Sequence, residues 1–328
     1  IWATQVLGSY WFGLMACLIY VCSPNIWPML LRILSEELYL SLTLGVLIIA
    51  EPARRQGGVW LIAVSLLLAS VVLTRTTGIT LVIAWGMYLF MDRSKESPSA
   101  WARPFSVVFP IMVAAVWHIS RQENTEEHLY NTELTWLVDR LTDSQQPVLE
   151  LFGYLYTQGS AMIDNWLGAL MLVWQPGLNS RTVVATLLAS LVVTGWLARV
   201  RKNHLDAWYS LFYVGLIFLW PFPGQFFRFI IPVLPLFIVY AIHATQVLAG
   251  KFPNRLTQFM PVMTGLIFLV LSIPAIGLIY QRSQYPPEND LDFSTNPEFY
   301  QEADIHRARD KARQHLLLAR EMEMIRVS

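Results

Sequence analysis

The chain has 328 residues, no net charge at neutral pH, 55% hydrophobic residues, 14% charged residues and a mean hydropathy of +0.45. A soluble domain carries about 25% charged residues, so this sequence has too few charges to wet its own surface, and contact with lipid is the expectation. The zero net charge removes any bulk electrostatic argument for nucleic acid as a partner.

Nine apolar runs are predicted as spans, at roughly 2–22, 34–50, 58–74, 77–91, 104–120, 182–198, 207–221, 229–249 and 260–280, since a spanning helix needs about 20 mostly apolar residues. The chain opens at Ile1 inside the first run, with no initiator Met and no signal-peptide n-region. It therefore reads as a fragment lacking its N-terminal part. Cys17 and Cys22 lie five apart in that run and read as core or lipid-facing residues, not as a disulfide or a metal pair.

Alternate loops carry Arg54 and Arg55, then Arg93, Lys95 and Arg103, then Arg199, Arg201 and Lys202, then Lys251 and Arg255. The short loops on the other side hold Arg32, Arg75 and Arg228. The positive-inside bias places the first group in the cytoplasm and the second outside. Residues of about 121–181 then form a long external loop, rich in Glu and Asp, with Leu134, Trp136, Leu137 and Leu141 at helical spacing. It is expected to fold as short helices, with 162–174 (MIDNWLGALMLVW) lying at the interface or re-entering the membrane. The tail reads as a linker followed by a charged helix over 299–326. The expectation is an all-α polytopic membrane protein of about nine transmembrane helices, with a folded external loop and an external helical tail. Its domains are a transmembrane domain over 1–280 and a linker-and-tail segment over 281–328.

Charges near a membrane core are costly, so each calls for an explanation. Three clusters lie at the outer ends of the spans. RILSEELYLSL brings Arg32, Ser35, Glu36 and Glu37; VLTRTTGITL brings Arg75 in a tight hairpin; GQFFRFIIPVLPL brings Arg228 ahead of Pro232 and Pro235. Each has a plain structural reading as well. An arginine at a helix end snorkels to the headgroups, acidic residues favour a helix N-terminus, and neighbouring helices satisfy the carbonyls that proline frees. The functional reading is that the three hairpins converge on an anionic ligand with a lipid tail. The histidines, His128 among them, form no zinc pattern.

At these points the sequence resembles the GT-C superfamily of polytopic glycosyltransferases, the group of protein O-mannosyltransferases and the lipid A aminoarabinose transferase. ILSEELYL (33–40), LTRTTGITL (73–81) and RFIIPVLPLF (228–237) match the order and spacing of the family's short motifs. Glu37 and Thr77 stand where proline is frequent in the family. The resemblance implies an inverting transfer of a sugar from a polyprenyl-phosphate donor to a lipid, glycan or protein acceptor, on the outer side of a bacterial inner membrane. It implies substrate-binding roles for Arg75, Arg228, Glu36 and Arg32, with membrane lipids as surroundings. The catalytic carboxylate is expected in an external loop upstream of Ile1, so no catalytic residue is assigned within the chain. No metal site or cofactor is indicated, and dependence on a divalent metal is left open. Other readings are an O-antigen ligase or polymerase-like enzyme, against which the acidic loop argues, a transporter or flippase of lipid-linked sugars, and a non-catalytic scaffold.

Overall fold

A computed structural model of the chain describes residues 1–23, 35–92, 102–121, 142, 146–171, 178–219, 229–250 and 259–266. The chain divides into two units, Ile1–Leu278 and Ile279–Ser328. The second unit, with the expected tail helix, lies outside the described residues, as do Arg32, Arg228, His128 and residues 122–141 of the long loop.

Every regular element among the described residues is helical. Helices α1 (Trp2–Leu7) and α2 (Tyr10–Cys22) are separated by Gly8, whose φ of 64° closes α1 in the left-handed conformation that glycine adopts without strain. Helix α3 (Ser35–Gln56) has Glu36 and Glu37 in its first turn and Arg54 and Arg55 in its last, a charge order that complements the helix dipole. Two left-handed glycines, Gly57 (φ 65°) and Gly58 (φ 52°), then reverse the chain into α4 (Val59–Thr74). A 3-10 turn at Thr76–Gly78 leads to α5 (Ile79–Phe90), followed by α6 (Ala102–Arg121), α7 (Pro147–Met171), α8 (Leu178–Val200), α9 (Leu205–Phe218) and α10 (Leu234–Ala249). Pro235 sits in the first turn of α10, where its missing N–H costs no helical hydrogen bond.

Among the described residues no helix is long and apolar enough to cross a membrane. This overturns the nine-span polytopic architecture, and the inside and outside assignment of the loops falls with it. The most apolar helices are short: α2 has 13 residues, α4 16, α5 12, α9 14 and α10 16. At 1.5 Å per residue a 16-residue helix is about 24 Å long, short of the roughly 30 Å hydrocarbon core. The longer helices carry charges: Glu51, Arg54 and Arg55 in α3, Arg103 in α6, Glu150 and Asp164 in α7, Arg181 and Arg199 in α8. The segment expected to be a separate interfacial helix at 162–174 is, as far as Met171, the end of the 25-residue α7. Asp164 does not interrupt it, because an interior Asp costs a helix only about 0.7 kcal/mol.

The helices pair as α3 with α4, α4 with α6, α5 with α9, and α8 with α10, while α10 also packs on α2. The core they enclose is mostly aliphatic, but its largest fully buried side chains are aromatic: Trp85, Tyr39, Tyr209, Tyr213 and Tyr240. The Trp85 indole N–H donates to Ser106 Oγ at 2.9 Å, tying α5 to α6. Many large apolar side chains remain exposed on the outside, Trp11, Phe90, Ile119 and Phe152 among them.

One end of the bundle is held by a charged network. Glu51 accepts from Arg54 at 2.7 Å, from Arg55 at 2.5 Å and from the Tyr88 hydroxyl at 2.5 Å. Arg54 also reaches Asp92 at 2.9 Å, and Arg103 reaches the other oxygen of Asp92 at 3.0 Å. Cations that the sequence offers as markers of one membrane side are thus ion-pair partners joining the ends of α3, α5 and α6. The Arg54 hydrogen bonds, helped by Tyr88 and Arg55 and opposed by partial burial, lower the Glu51 pKa from 4.5 to about 2. A folded-state pKa below the unfolded one stabilises the fold above the unfolded value, and this is lost as pH falls through the folded one. The wild type should therefore lose its advantage over Glu51→Gln as pH drops from about 4.5 toward 2. The difference should be modest, under about 1 kcal/mol, because Glu51 is substantially exposed and water screens the pair. Unfolding midpoints of both proteins across this range check it; parallel curves would mean that the network contributes nothing.

Candidate functional site

The opposite end of the α3–α4 hairpin gathers the residues singled out in the sequence. Glu36 lies in the first turn of α3 and is fully buried. Arg75 terminates α4 in extended conformation, with its N–H donating to Val71 O at 3.1 Å. Its carbonyl accepts from the Gly78 N–H at 2.9 Å, which closes the turn. Gly78 is required here by space: a Cβ would lie 2.8 Å from both the carbonyl oxygen and a methyl of Val71. The glycine of LTRTTG thus lets the chain fold back tightly enough to fix the base of the Arg75 side chain.

The antiparallel hairpin brings Arg75 Nη1 to 2.9 Å from Glu36 Oε1. The N–H is not aligned for a hydrogen bond, so the contact is an ion pair without hydrogen-bond geometry. The Arg75 side chain keeps 10% of its surface open. The Phe229 ring covers the guanidinium, with its centroid 5.1 Å from Cζ. Phe229 is itself placed by the Tyr213 hydroxyl, which donates to its carbonyl at 3.0 Å. Tyr213 stacks on Tyr39, and the hydroxyls of Tyr39 and Tyr209 lie 3.0 Å apart. Burial raises the pKa of all three phenols, so they stay protonated and neutral. The pair therefore sits in a weakly polar aromatic shell, where charge interactions are stronger than in water.

Glu37, next along the helix, has a buried carboxylate oxygen without a hydrogen-bond partner among the described residues. Beside α4 and α6 an open apolar groove of about 390 Å³ is lined by Leu73, Phe109, Met112, Val116 and Trp117. No group of three or more His, Cys, Asp or Glu is placed to hold a metal ion among the described residues. Cys17 is a free, exposed thiol.

Of the four predicted site residues, Glu36 and Arg75 come together, while Arg32 and Arg228 lie outside the described residues. Phe229 stands in the sequence only as one of the two phenylalanines flanking Arg228, suited to anchoring at an interface, and its place over the Arg75 guanidinium comes from the fold. A second buried pair, Arg199 with Asp206, is not legible in the sequence, where Arg199 stands only among the loop cations. No family model, no curated protein and no solved structure matches the chain.

Proposed function

We propose that the chain is a glycosyltransferase that acts on a polyprenyl-phosphate-linked sugar and binds the donor phosphate at Arg75. One observation carries the reading. Glu36, Arg75 and Phe229 belong to three separate motifs of the GT-C resemblance, at 33–40, 73–81 and 228–237, and they meet in one contact cluster. Arginine suits a phosphate because its planar fork offers directed N–H donors. The apolar groove that begins at Leu73, two residues before Arg75, offers room for the isoprenoid part of such a donor. The exposed apolar side chains fit work at a lipid surface.

In the reaction the acceptor hydroxyl oxygen forms a bond to the anomeric carbon. The bond from that carbon to the phosphate oxygen breaks, and its electron pair leaves with the phosphate. The acceptor proton passes to a base, a role for which a carboxylate is suited. The acceptor is a lipid, glycan or protein.

The test is binding of an isoprenyl phosphodiester by the protein in detergent, against the matching isoprenol. Wild type should be thermally stabilised by the phosphodiester and not by the alcohol. Arg75→Ala should weaken binding by about tenfold or more, as a charge-assisted hydrogen bond is worth about 1.5–3 kcal/mol. Arg75→Lys should recover only part, since a point charge loses the fork. Equal binding of phosphodiester and alcohol, or full rescue by lysine, would remove the phosphate role.

A further inference from the structure

The charged end of the bundle lies at the other end of the α3–α4 hairpin from Arg75. Arg54, Asp92 and Arg103 join the ends of α3, α5 and α6 there. The Asn203 side-chain N–H donates to the Tyr88 carbonyl at 3.4 Å, which brings the turn between α8 and α9 to the same end. We propose that this end docks on the surface of an anionic lipid bilayer. Arg55, Arg201 and Lys202 meet the headgroups, and Val59, Trp60 and Phe90 enter the interface between them.

The charges at this end are sorted by depth. The carboxylates of Glu51, Asp92 and Asp206 are engaged by Arg54, Arg55, Arg103 and Arg199. Arg201 and Lys202 are exposed and meet no carboxylate among the described residues. Arg55 touches Glu51 and is still largely open to solvent. The surplus at this end is therefore positive, and it faces outward. The turn that carries it is pinned at several points. The N–H groups of Lys202, Asn203 and His204 donate to Arg199 O, Val200 O and Arg199 O at 3.1, 2.9 and 3.2 Å. Asn203 takes a φ of 53°, a left-handed conformation that Asn tolerates, and its side-chain oxygen accepts from the Trp208 indole at 2.7 Å.

Apolar side chains stand beside these cations. Gly57 and Gly58 turn the chain so that Val59, 79% exposed, and the exposed Trp60 open α4, while Phe90, 81% exposed, closes α5. Aromatic rings favour the headgroup zone of a bilayer, where an amphipathic ring has both an apolar and a polar neighbour. Lysines and arginines next to them add attraction to anionic lipids. A nucleic acid or an acidic protein would use the cations and leave the three apolar side chains in water. An anionic bilayer matches both features at once.

The experiment places the full chain in neutral-detergent micelles, titrates in phosphatidylglycerol or phosphatidylcholine, and reads the thermal midpoint. Phosphatidylglycerol should stabilise wild type, and phosphatidylcholine should not. One cation near an anionic lipid surface strengthens binding about fivefold, so Arg201→Gln with Lys202→Gln should weaken the apparent affinity for phosphatidylglycerol about 25-fold. Gln56→Lys, which adds a cation at the exposed last residue of α3, should strengthen it about fivefold. Raising the ionic strength from about 0.15 M to about 1 M shortens the Debye length from about 8 Å to about 3 Å and should remove most of the preference. The water-soluble headgroup glycerophosphoglycerol, and an oligonucleotide as soluble polyanion, should stabilise far less than the lipid at equal phosphate concentration. Arg75→Ala should keep the preference for phosphatidylglycerol, so a failed donor-binding reading leaves this surface standing. Equal response to the two lipids, unchanged affinity in the double variant or in Gln56→Lys, or a soluble anion that matches the lipid overturns the proposal. Loss of the preference in Arg75→Ala would place the lipid at the donor site and overturn it as well.

Discussion

Replacing Arg199 with alanine should destabilise the fold by about 3–5 kcal/mol, the range for leaving a buried ion without its partner. Arg199 at the end of α8 and Asp206 at the start of α9 form a two-point contact, Nε to Oδ2 at 2.5 Å and Nη2 to Oδ1 at 2.6 Å. Their side chains are 8% and 3% exposed. Deleting the guanidinium strands the carboxylate beside the Tyr240 phenol, whose pKa burial already raises. Deleting both charges is a different matter. Arg199→Met with Asp206→Leu should recover most of the loss, because the desolvation cost of the two ions disappears with them. Denaturant unfolding of the two single variants and the double variant, read as a double-mutant cycle, decides the question. Near-additive losses would show that the ions act independently.

Gly195→Leu should also cost about 3 kcal/mol or more, by overpacking. Helices α8 and α10 approach so closely here that a Cβ on Gly195 would lie 2.0 Å from the Tyr240 carbonyl oxygen and 2.7 Å from its carbon. Both obstacles are backbone, so no rotamer change relieves them, and the helices must separate. Gly215 in α9 is the control, since nothing lies within 4 Å of its would-be Cβ. Gly215→Ala should be neutral or stabilising by up to about 1 kcal/mol, the usual gain of replacing an unconstrained helical glycine. Matching shifts for Gly195→Ala and Gly215→Ala in thermal unfolding would contradict the close approach.

Helical periodicity and apolar runs make the helical character of the described residues legible, but not the helix lengths. The run at 2–22 looks like one span, yet Gly8 in the left-handed conformation divides it into α1 and α2. The run at 229–249 also looks continuous, yet residues 231–233 form a turn and α10 starts only at Leu234. Hydropathy sums composition and is blind to a single φ angle, so runs of spanning length yielded shorter helices. At the site, Glu36 and Arg75 stood out because charges at the ends of apolar runs are costly. Their pairing did not, because it depends on how α3 and α4 lie against each other. Glu51 and Asp92 are not legible as partners of Arg54 and Arg103, because the sidedness of loop cations says nothing of which acidic residue each one meets.

The glycine pair at 57 and 58 sets more than a reversal of direction. From Glu36 the chain climbs α3, turns, and descends α4 to Arg75, so the two charges meet only if both limbs are of matched length. A helix turns about 100° and advances 1.5 Å with each residue. One residue gained or lost in α4 would swing Arg75 to another side of that helix, and one in α3 would swing Glu36 about its own axis, so either change parts the two charges. The hairpin works as a caliper, closed on a point that its own arm lengths define. Side chains along the arms can drift while their tips still touch, but the arms cannot change length one residue at a time.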